Sequence, residues 1–338
     1  MPILEQRLGE IFERKDIPEA QSYLETVRGV LSTLASEPGD VRPPDSSGRP
    51  GGWVLLKRDI PTLIVPDIHA RMDFFLGVMN YEAEQGSRAL ELMAEGRLQV
   101  VCLGDGVHAE ARAIKRWKAA NKEFQDGFRR HAHMDEEMRE SLGVMEMVME
   151  TKRSFPGHFH FLKGNHENIK NELGDGNYPF RKFAMEGLMV LTYMRKFYGD
   201  ELLDEYARFE KELPLLASGN GFLISHSEPA EFFSRAKLID YRKHADVVYG
   251  LTWTDNDGAE AGSVQRMLDH YLGDGMSERG FYFGGHRPVS GSYLLRAEGR
   301  FVQIHDPDRG VIVHIPASGE IDLERDFREI ESGSPMTM

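Results

Sequence analysis

Apolar residues at helical spacing dominate the beginning of the chain. Between residues 3 and 35, leucine, isoleucine, valine and phenylalanine recur three or four positions apart, and Pro18 interrupts the pattern. This spacing predicts two helices. Residues 37–52 are rich in proline, glycine and serine, which is typical of a linker. We therefore predict that residues 1–52 form an N-terminal helical extension and linker, either a brace on the main domain or an arm that binds a partner.

The main domain is predicted to span residues 53–330, where short apolar runs alternate with longer helical patterns. Strands are predicted at 62–66, 98–103 and 158–162, with a helical stretch at 71–95. The order of strand, helix and strand indicates an α/β fold with a partly parallel sheet. In such sheets ligands collect beyond the carboxyl ends of the strands.

Helical patterns also predict two insertions in the main domain, at about 109–155 and 181–213. The first is rich in alanine, glutamate, arginine, lysine and methionine, and it predicts a long helix or a helical hairpin broken near Gly127 or Gly143. The second is a shorter helical block. Both insertions follow a predicted strand end, so we expect them to roof a site there.

Short strands return after residue 222. Turn residues at 306–310 separate an apolar run at 301–305 from another at 311–315, so we predict that these two strands pair as a hairpin. They would belong to a second sheet, mixed or antiparallel. Residues 331–338 are predicted to form a flexible tail.

Composition narrows the class of protein. The chain has 338 residues and a formal net charge of −14, which argues against a protein that binds nucleic acid through its phosphates. Its one cysteine, Cys102, excludes an internal disulfide and lies in an apolar run. No signal peptide and no apolar run of about 18 residues is seen, so we expect a cytoplasmic protein without a membrane partner.

Side chains that can bind metal ions follow the predicted strands. They are Asp67 and His69 after the first strand, Asp105 after the second, Asn165 after the third and, further along, His226 and His286. Carboxylates combined with imidazoles favour Mn, Fe or Zn over Ca or Mg. Two such ions about 3.5 to 4 Å apart can hold a bridging hydroxide and clamp the oxygens of a phosphate ester. His166, next to Asn165, is a candidate acid for the leaving group.

The same series resembles a known superfamily. The segments Asp67-Ile68-His69, Gly104-Asp105, Gly164-Asn165-His166-Glu167 and Gly285-His286 are similar to the motifs of calcineurin-like metallophosphoesterases. Within that superfamily the chain resembles the phosphoprotein phosphatase branch, which includes Ser/Thr phosphatases and bacterial diadenosine tetraphosphate hydrolases. The resemblance extends over about 62–315. It implies a four-layer α/β/β/α sandwich with helical insertions.

The resemblance also implies a distribution of ligands over two divalent or trivalent metal ions. The first ion would be bound by Asp67, His69 and Asp105, and the second by Asp105, Asn165, His226 and His286. Mn is the first choice, with Fe, Zn, Ni and Co as alternatives. His166 matches the catalytic histidine of the family.

One motif departs from the family pattern. The phosphoprotein phosphatases carry an aspartate that supports the catalytic histidine and, next to it, an arginine that binds phosphate, whereas this chain has His108 and Ala109 there. His108 is therefore a candidate catalytic residue in place of the acid. Arg287 is the candidate for the missing cation, and Arg112, about one helical turn after Ala109, is a second.

The leading prediction is a phosphatase that hydrolyses a phosphomonoester, such as a phosphoprotein, by attack of the hydroxide between two metal ions. A first alternative is a hydrolase of dinucleoside polyphosphates or other nucleotides, which is favoured if the missing arginine reflects a different leaving group. A second alternative is a metal-binding scaffold or regulatory protein with impaired catalysis. The predicted partner in the enzymatic cases is a phosphorylated substrate, with no nucleic acid and no membrane.

Overall fold

The computed structural model describes residues 2–273 and 275–331. Its helices are α1 Pro2–Glu13, α2 Ala20–Ala35, α3 Met72–Asn80, α4 Ala89–Ala94, α5 Ile114–Gln125, α6 Ala132–Ser154, α7 Glu186–Phe197, α8 Gly199–Glu212, α9 Arg235–Ile239, α10 Ala245–Thr252 and α11 Ser263–Leu272. Its strands are β1 Trp53–Leu55, β2 Thr62–Val65, β3 Glu82–Glu84, β4 Ser87–Arg88, β5 Gln99–Cys102, β6 Phe159–Phe161, β7 Leu216–Ser218, β8 Phe222–Ser225, β9 Phe281–Gly284, β10 Leu294–Arg296, β11 Phe301–Gln303, β12 Val311–Ile315 and β13 Phe327–Glu329. The predicted tail at 331–338 lies outside the described residues, apart from residue 331.

Two mixed sheets form the centre of the molecule. One has the strand order β13-β12-β2-β5-β6, and in it β2, β5 and β6 run parallel to one another. The other has the order β1-β7-β8-β9-β11-β10, and in it β8, β9 and β11 are parallel neighbours. Each sheet therefore contributes three adjacent strands whose carboxyl ends lie at one edge.

Three apolar clusters separate the layers. The cluster between the sheets contains buried side chains of both, including Ile64 and Val101 from one sheet and Ile224 and Phe283 from the other. A second cluster joins β2, β5 and β6 to helices α1 to α8, and a third joins β7, β8 and β9 to helices α9 to α11. The predicted four-layer α/β/β/α sandwich with helical insertions is confirmed.

Two predictions about local elements are wrong. The strands predicted at 301–305 and 311–315 do not form a hairpin, because β11 pairs with β9 and β10 whereas β12 pairs with β2 and β13 in the opposite sheet. The turn at 306–310 therefore crosses from one sheet to the other. The helix predicted at 71–95 is interrupted by the small β3-β4 hairpin, so α3 and α4 are separate.

The N-terminal helices pack on the helical layer. Helix α2 lies against α6 and α8, and α1 lies against α6. Residues 37–52 contain the buried Arg42, whose guanidinium donates to the Gly51 carbonyl oxygen and to the carboxylate of Glu37. Glu37 also accepts a hydrogen bond from Lys152 of α6 at 2.6 Å. Among the described residues, no helix is long and apolar enough to cross a membrane.

The first insertion is a helical hairpin, formed by α5 and α6 with the break at Gly127. Its helix α6 packs against α2, α3 and α5. The second insertion contains α7 and α8, which pack against each other. Both insertions contribute helices to the layer that covers β2, β5 and β6.

Candidate metal centre

The carboxyl ends of five strands that carry predicted ligands meet where the two sheets face each other. Asp67 and His69 follow β2, Asp105 follows β5 and Asn165 follows β6. From the other sheet, His226 follows β8 and His286 follows β9. All six side chains predicted to bind metal are buried at this edge, with exposed fractions between 0 and 9%. The topology explains this convergence, since parallel strands present their ends at one edge of a sheet.

Glu167 holds two of the motif loops together. Its buried carboxylate accepts hydrogen bonds from the backbone N–H groups of Asp105, Gly106 and Gly164, at 2.9, 2.8 and 2.7 Å. Burial and the charge of Asp105 raise the pKa of Glu167, whereas these N–H donors oppose that rise. Glu167 therefore connects the loop after β5 to the loop after β6 and has a structural role in the motif.

The loops of the site adopt backbone conformations that are unusual for residues with a side chain. His69, Asp105 and His286 have φ values of 47°, 50° and 65°. Such left-handed conformations are uncommon outside glycine and cluster at functional sites. Gly285 permits the close approach of the β9 loop to the β2 loop, because a Cβ atom there would collide with the Asp67 carboxylate.

The first predicted ligand set has donor atoms at suitable separations. Two donors bound to one ion at about 2.1 Å each lie at most about 4.2 Å apart. The Nε2 atom of His69 is 3.9 Å from Asp67 Oδ2 and 3.8 Å from Asp105 Oδ2. The Nδ1 atom of His69 is turned to the Val107 carbonyl oxygen at 3.4 Å, which leaves Nε2 facing the carboxylates.

The second set is more compact. The Nε2 atom of His226 lies 3.3 Å from Asp105 Oδ2 and 3.0 Å from Asn165 Oδ1. Asn165 Oδ1 also lies 2.8 Å from Nδ1 of His286. On the far side of its ring, Nδ1 of His226 is 3.0 Å from the Leu103 carbonyl oxygen, which can only accept, so this nitrogen carries the proton. The remaining lone pairs then converge on one point, as a metal ion requires.

The electrostatics of the cluster favour positive charge. Burial would lower the pKa of His226, but the carboxylates of Asp105 and Asp67 raise it to about 9. Burial likewise opposes ionisation of Asp105, yet His166 and His226 hold its pKa well below the usual range. Asp67 Oδ1 and His286 Nε2 are buried with no hydrogen-bond partner among the described residues. Since such groups cost about 1 to 3 kcal/mol each when unpaired, the donor set fits metal ions.

His166 and His108 form a hydrogen-bonded pair of imidazoles. Their Nδ1 atoms are 3.0 Å apart, and Nε2 of His166 lies 3.8 Å from Asp105 Oδ2. The ring of Phe180 stacks on His108 and contacts His166. Burial lowers the pKa of both histidines, that of His108 to about 3, so a neutral pair shares one proton between the Nδ1 atoms. His108 thus occupies the side of His166 that faces away from the ligand set.

The first helical insertion positions this pair. Glu137 of α6 accepts hydrogen bonds from the Ala109 N–H at 2.8 Å and from the Ser141 hydroxyl at 3.2 Å. The Ser141 hydroxyl accepts a hydrogen bond from the His108 N–H at 3.1 Å. Trp117 of α5 donates to the Ala109 carbonyl oxygen at 2.6 Å. The substituted residues 108 and 109 are therefore fixed by the insertion.

Two acidic or imidazole side chains at the site were not predicted. Glu110 lies 4.0 Å from His69 and 3.7 Å from His305, and it pairs with Lys182 at 2.7 Å. Although burial opposes ionisation, His305, His69 and Lys182 keep the pKa of Glu110 below its usual range. His305 lies 3.9 Å from Asp67. A sequence signal existed for His305, because it ends the apolar run 301–304 as the predicted ligands end theirs.

A cavity of about 190 Å³ opens over the cluster. Its walls include His69, Asp105, Glu110, Asn165, His166, Pro179, Phe180, Arg181, Lys182, Trp253, His286 and Arg287. Arg287, the predicted phosphate contact, lines the cavity and also forms two hydrogen bonds to the Asp255 carboxylate, at 2.7 and 3.0 Å. Arg112 is not among these residues, because its guanidinium binds the carbonyl oxygens of His69 and Ala70 from behind.

Comparisons with known proteins support the fold. No protein-family model and no curated protein matches the sequence. Among solved structures, a protein serine/threonine phosphatase from Saccharomyces cerevisiae with similarity to human phosphatase PP5 is similar at a TM-score of 0.61 and 14% identity, with 98% of this chain and 95% of that chain covered. The fold that the resemblance implied is thereby confirmed.

A second similar structure is a cold-active protein tyrosine phosphatase from a psychrophilic Shewanella species. It has a TM-score of 0.41 and 14% identity, with 83% of this chain and 82% of that chain covered. This chain thus combines the fold of the yeast phosphatase with buried clusters of histidine and aspartate.

Proposed function

We propose that this protein is a metal-dependent phosphatase that holds two ions and hydrolyses a phosphomonoester, including a phosphorylated side chain of a protein. The observation that carries the proposal is the convergence of Asp67, His69, Asp105, Asn165, His226 and His286 from strand ends of both sheets. Two ions bound by these residues would neutralise phosphate charge and activate water as the nucleophile. Mn stays the first choice of metal, and the cytoplasm stays the predicted location.

The proposal assigns proton transfer to His166. His166 lines the cavity in which a phosphate group would bind, and its Nε2 faces the ligand set, 3.8 Å from Asp105 Oδ2. If His108 donates a hydrogen bond from its Nδ1 to Nδ1 of His166, the proton of His166 resides on Nε2, where it can be given to the departing oxygen and then be replaced by a proton from an incoming water molecule. In this scheme His108 is a positioning residue, because it selects the tautomer of His166 without reaching the substrate.

Three cations at the cavity replace the family's missing arginine in this proposal. Arg181, Lys182 and Arg287 line its mouth. Lys182 and Arg287 have carboxylate partners, Glu110 and Asp255. Arg181 has no side-chain partner among the described residues, so its guanidinium is available for the phosphate oxygens.

The size of the cavity bears on the substrate. Its volume of about 190 Å³ is smaller than the 300 to 1,000 Å³ of typical small-molecule pockets. It accommodates a phosphate and the first atoms of its ester, while the remainder of the substrate extends outside. That arrangement suits a phosphorylated side chain on a larger molecule.

One observation favours the alternative of a nucleotide substrate. Three aromatic rings form a row that starts at the cavity. Trp253 lines the cavity, the ring centroid of Tyr178 lies 5.7 Å from that of Trp253, and the ring centroid of Tyr249 lies 5.4 Å from that of Tyr178. Tyr178 and Tyr249 are 45 and 42% exposed. Exposed rings beside a phosphate site can stack on a nucleobase. Comparing kcat/KM for phosphopeptides, nucleotides and dinucleoside polyphosphates separates the two substrates.

The central test is the variant Asp105→Asn, because Asp105 contacts both ligand sets. Wild-type protein loaded with Mn should hydrolyse p-nitrophenyl phosphate. Asp105→Asn should reduce kcat by at least about 10³-fold, which is the effect of removing one group that stabilises charge in the transition state. Asp326→Asn is the matched control, since Asp326 is also buried but belongs to none of the clusters. Full activity in Asp105→Asn would contradict the proposed site.

A further inference from the structure

His305 continues a row of histidines across the second sheet. The parallel neighbours β8, β9 and β11 are each followed by a histidine, namely His226, His286 and His305. The first two already belong to the proposed second ligand set. Because β11 is the next strand in the row, its end brings His305 to the other side of the cluster, beside Asp67 and His69.

His305 is buried without the hydrogen bonds that the ring nitrogens of a buried histidine normally make. Its residue is 1% exposed, and neither ring nitrogen has a hydrogen-bond partner among the described residues. Buried polar groups are nearly always paired, so two unpaired nitrogens on one ring indicate a missing partner. No backbone carbonyl or hydroxyl takes that role here. The nearby groups are instead the side chains of the metal cluster.

The distances identify the nitrogen that faces the cluster. Nδ1 of His305 lies 3.9 Å from Asp67 Oδ2, and the rings of His305 and His69 have centroids 5.2 Å apart. Asp67, His69 and His305 form a group in which one donor atom of each lies within 4.8 Å of the others. A separation of 3.9 Å is too long for a hydrogen bond but fits two donors on one ion.

The opposite nitrogen of the ring faces a second carboxylate. Nε2 of His305 lies 3.7 Å from Glu110 Oε2. A metal-binding histidine usually directs its other nitrogen to a carboxylate or carbonyl oxygen, which fixes the ring and raises its basicity as a ligand. Glu110 is suitably located for that purpose, and Lys182 restrains it from the solvent side.

We propose that His305 is a fourth side-chain ligand of the ion held by Asp67, His69 and Asp105, with Nδ1 as the donor and Glu110 as its orienting partner. This inference rests on the proposed function in so far as it assumes a metal at that position. It adds a ligand that belongs to none of the four motifs recognised in the sequence. The first ion would then be bound by four protein groups, as the second one is.

The test measures metal binding rather than turnover. Metal-free wild-type protein, His305→Ala and His160→Ala are titrated with Mn²⁺ by calorimetry, and the retained metal is counted by elemental analysis after dialysis. His160 is the matched control, because it is 2% exposed and has an unpartnered Nδ1 but belongs to no metal cluster. In His305→Ala one of the two ions should bind at least about tenfold more weakly. Loss of a group that only hydrogen-bonds to a metal ligand already weakens binding by that factor.

The other ion should keep its affinity in His305→Ala, and both should be unchanged in His160→Ala. Two ions bound with wild-type affinities by His305→Ala would overturn the inference. Turnover is not part of this measurement, so a wild-type protein that binds two ions yet hydrolyses nothing would refute the proposed function alone. A wild-type protein that binds no ion would refute both.

A measurement on the wild-type protein covers the case in which His305→Ala does not fold. Crystals of the Mn-loaded protein are examined for anomalous scattering from the metal. The inference expects a metal peak at bonding distance, about 2.0 to 2.3 Å, from a ring nitrogen of His305. A peak bonded to Asp67 and His69 with His305 beyond bonding distance would overturn it.

Discussion

At the scale of single residues, this chain has His108 where the phosphoprotein phosphatases carry an aspartate, and this difference changes how the proposed acid His166 is supported. A carboxylate would stabilise a charged imidazolium by its charge, whereas His108 is neutral and can only orient His166 by a hydrogen bond. The burial of both rings against Phe180 excludes water from this contact. We therefore expect His166 to act as a neutral acid of fixed tautomer.

The variant His108→Ala tests this role. We expect kcat to fall by about 10- to 100-fold with little change in KM, because the proton of His166 is no longer held on Nε2. Metal content should stay at the wild-type value, since His108 is outside the ligand set. His108→Asp should recover much of the loss, because a carboxylate can also bind Nδ1 of His166. An unchanged kcat in His108→Ala would exclude the support role.

A second residue-scale prediction concerns the phosphate contact. Arg181→Ala should raise KM for p-nitrophenyl phosphate by about tenfold, because a charge-assisted contact of roughly 1.4 kcal/mol is lost. Arg195→Ala is the control, since Arg195 is a largely exposed arginine on α7 whose partner is Asp200. Steady-state kinetics measure both. Equal KM values for the two variants would remove Arg181 from the site.

At the scale of elements, the first insertion does more than cover the site. Helix α6 brings the buried carboxylate of Glu137 to the N–H of Ala109, and Arg116 of α5 pairs with that carboxylate at 2.6 Å. The two helices of the hairpin are thereby joined to the loop after β5. This contact explains how a loop with His108 and Ala109, where the phosphoprotein phosphatases carry an Asp-Arg pair, keeps a defined conformation.

The variant Glu137→Ala should destabilise the protein by about 3 to 5 kcal/mol, because the buried N–H of Ala109 loses its acceptor and Arg116 loses its most buried partner and keeps only Glu140 and Glu136. Glu136→Ala provides a close comparison. Glu136 also pairs with Arg116, at 3.3 Å, but its side chain is 54% exposed, so its loss should cost less than about 1 kcal/mol. Denaturant unfolding measures both values. Similar losses in the two variants would contradict the importance assigned to burial.

At the scale of the whole molecule, metal binding should be linked to stability. Asp67, Asp105 and Glu110 gather negative charge between the two sheets, so an ion bound there would stabilise both layers together. At a free metal concentration 100 times the dissociation constant, one ion adds about 2.7 kcal/mol to the free energy of unfolding. Calorimetry with Mn²⁺ and with a chelator should show a higher melting temperature in the first case. Identical curves for protein with proven metal content would contradict the linkage.

Much of the site could be predicted because its residues follow apolar runs. Asp67, Asp105 and Asn165 each come after a buried strand, and parallel strands end at a common edge whatever their exact length. The six proposed ligands are indeed neighbours, and their role as ligands stays a prediction. The domain limits at 52, 53 and 330 also stay predictions.

The errors have a different origin. A periodic pattern shows which side of a strand is buried, but it does not show which sheet the strand joins. The runs at 301–305 and 311–315 therefore read as a hairpin, although the 306–310 turn carries the chain from one sheet to the other. The β3-β4 hairpin separates α3 from α4 in the structure, but it is too short to disturb the spacing of apolar residues in the sequence, so residues 71–95 read as one helix.

Local chemistry was therefore readable from the chain alone: the strand ends, the kinds of donor atom they carry and the altered motif at His108 and Ala109. Tertiary structure decided which groups from distant segments join them. Glu110 and Arg181 reach the cavity, and His305 reaches Asp67 and Glu110, only because two sheets close on each other and an insertion folds over their edge. The contact between Asp67 and His305 spans 238 residues along the chain, a distance over which hydrophobic periodicity holds no information about neighbours.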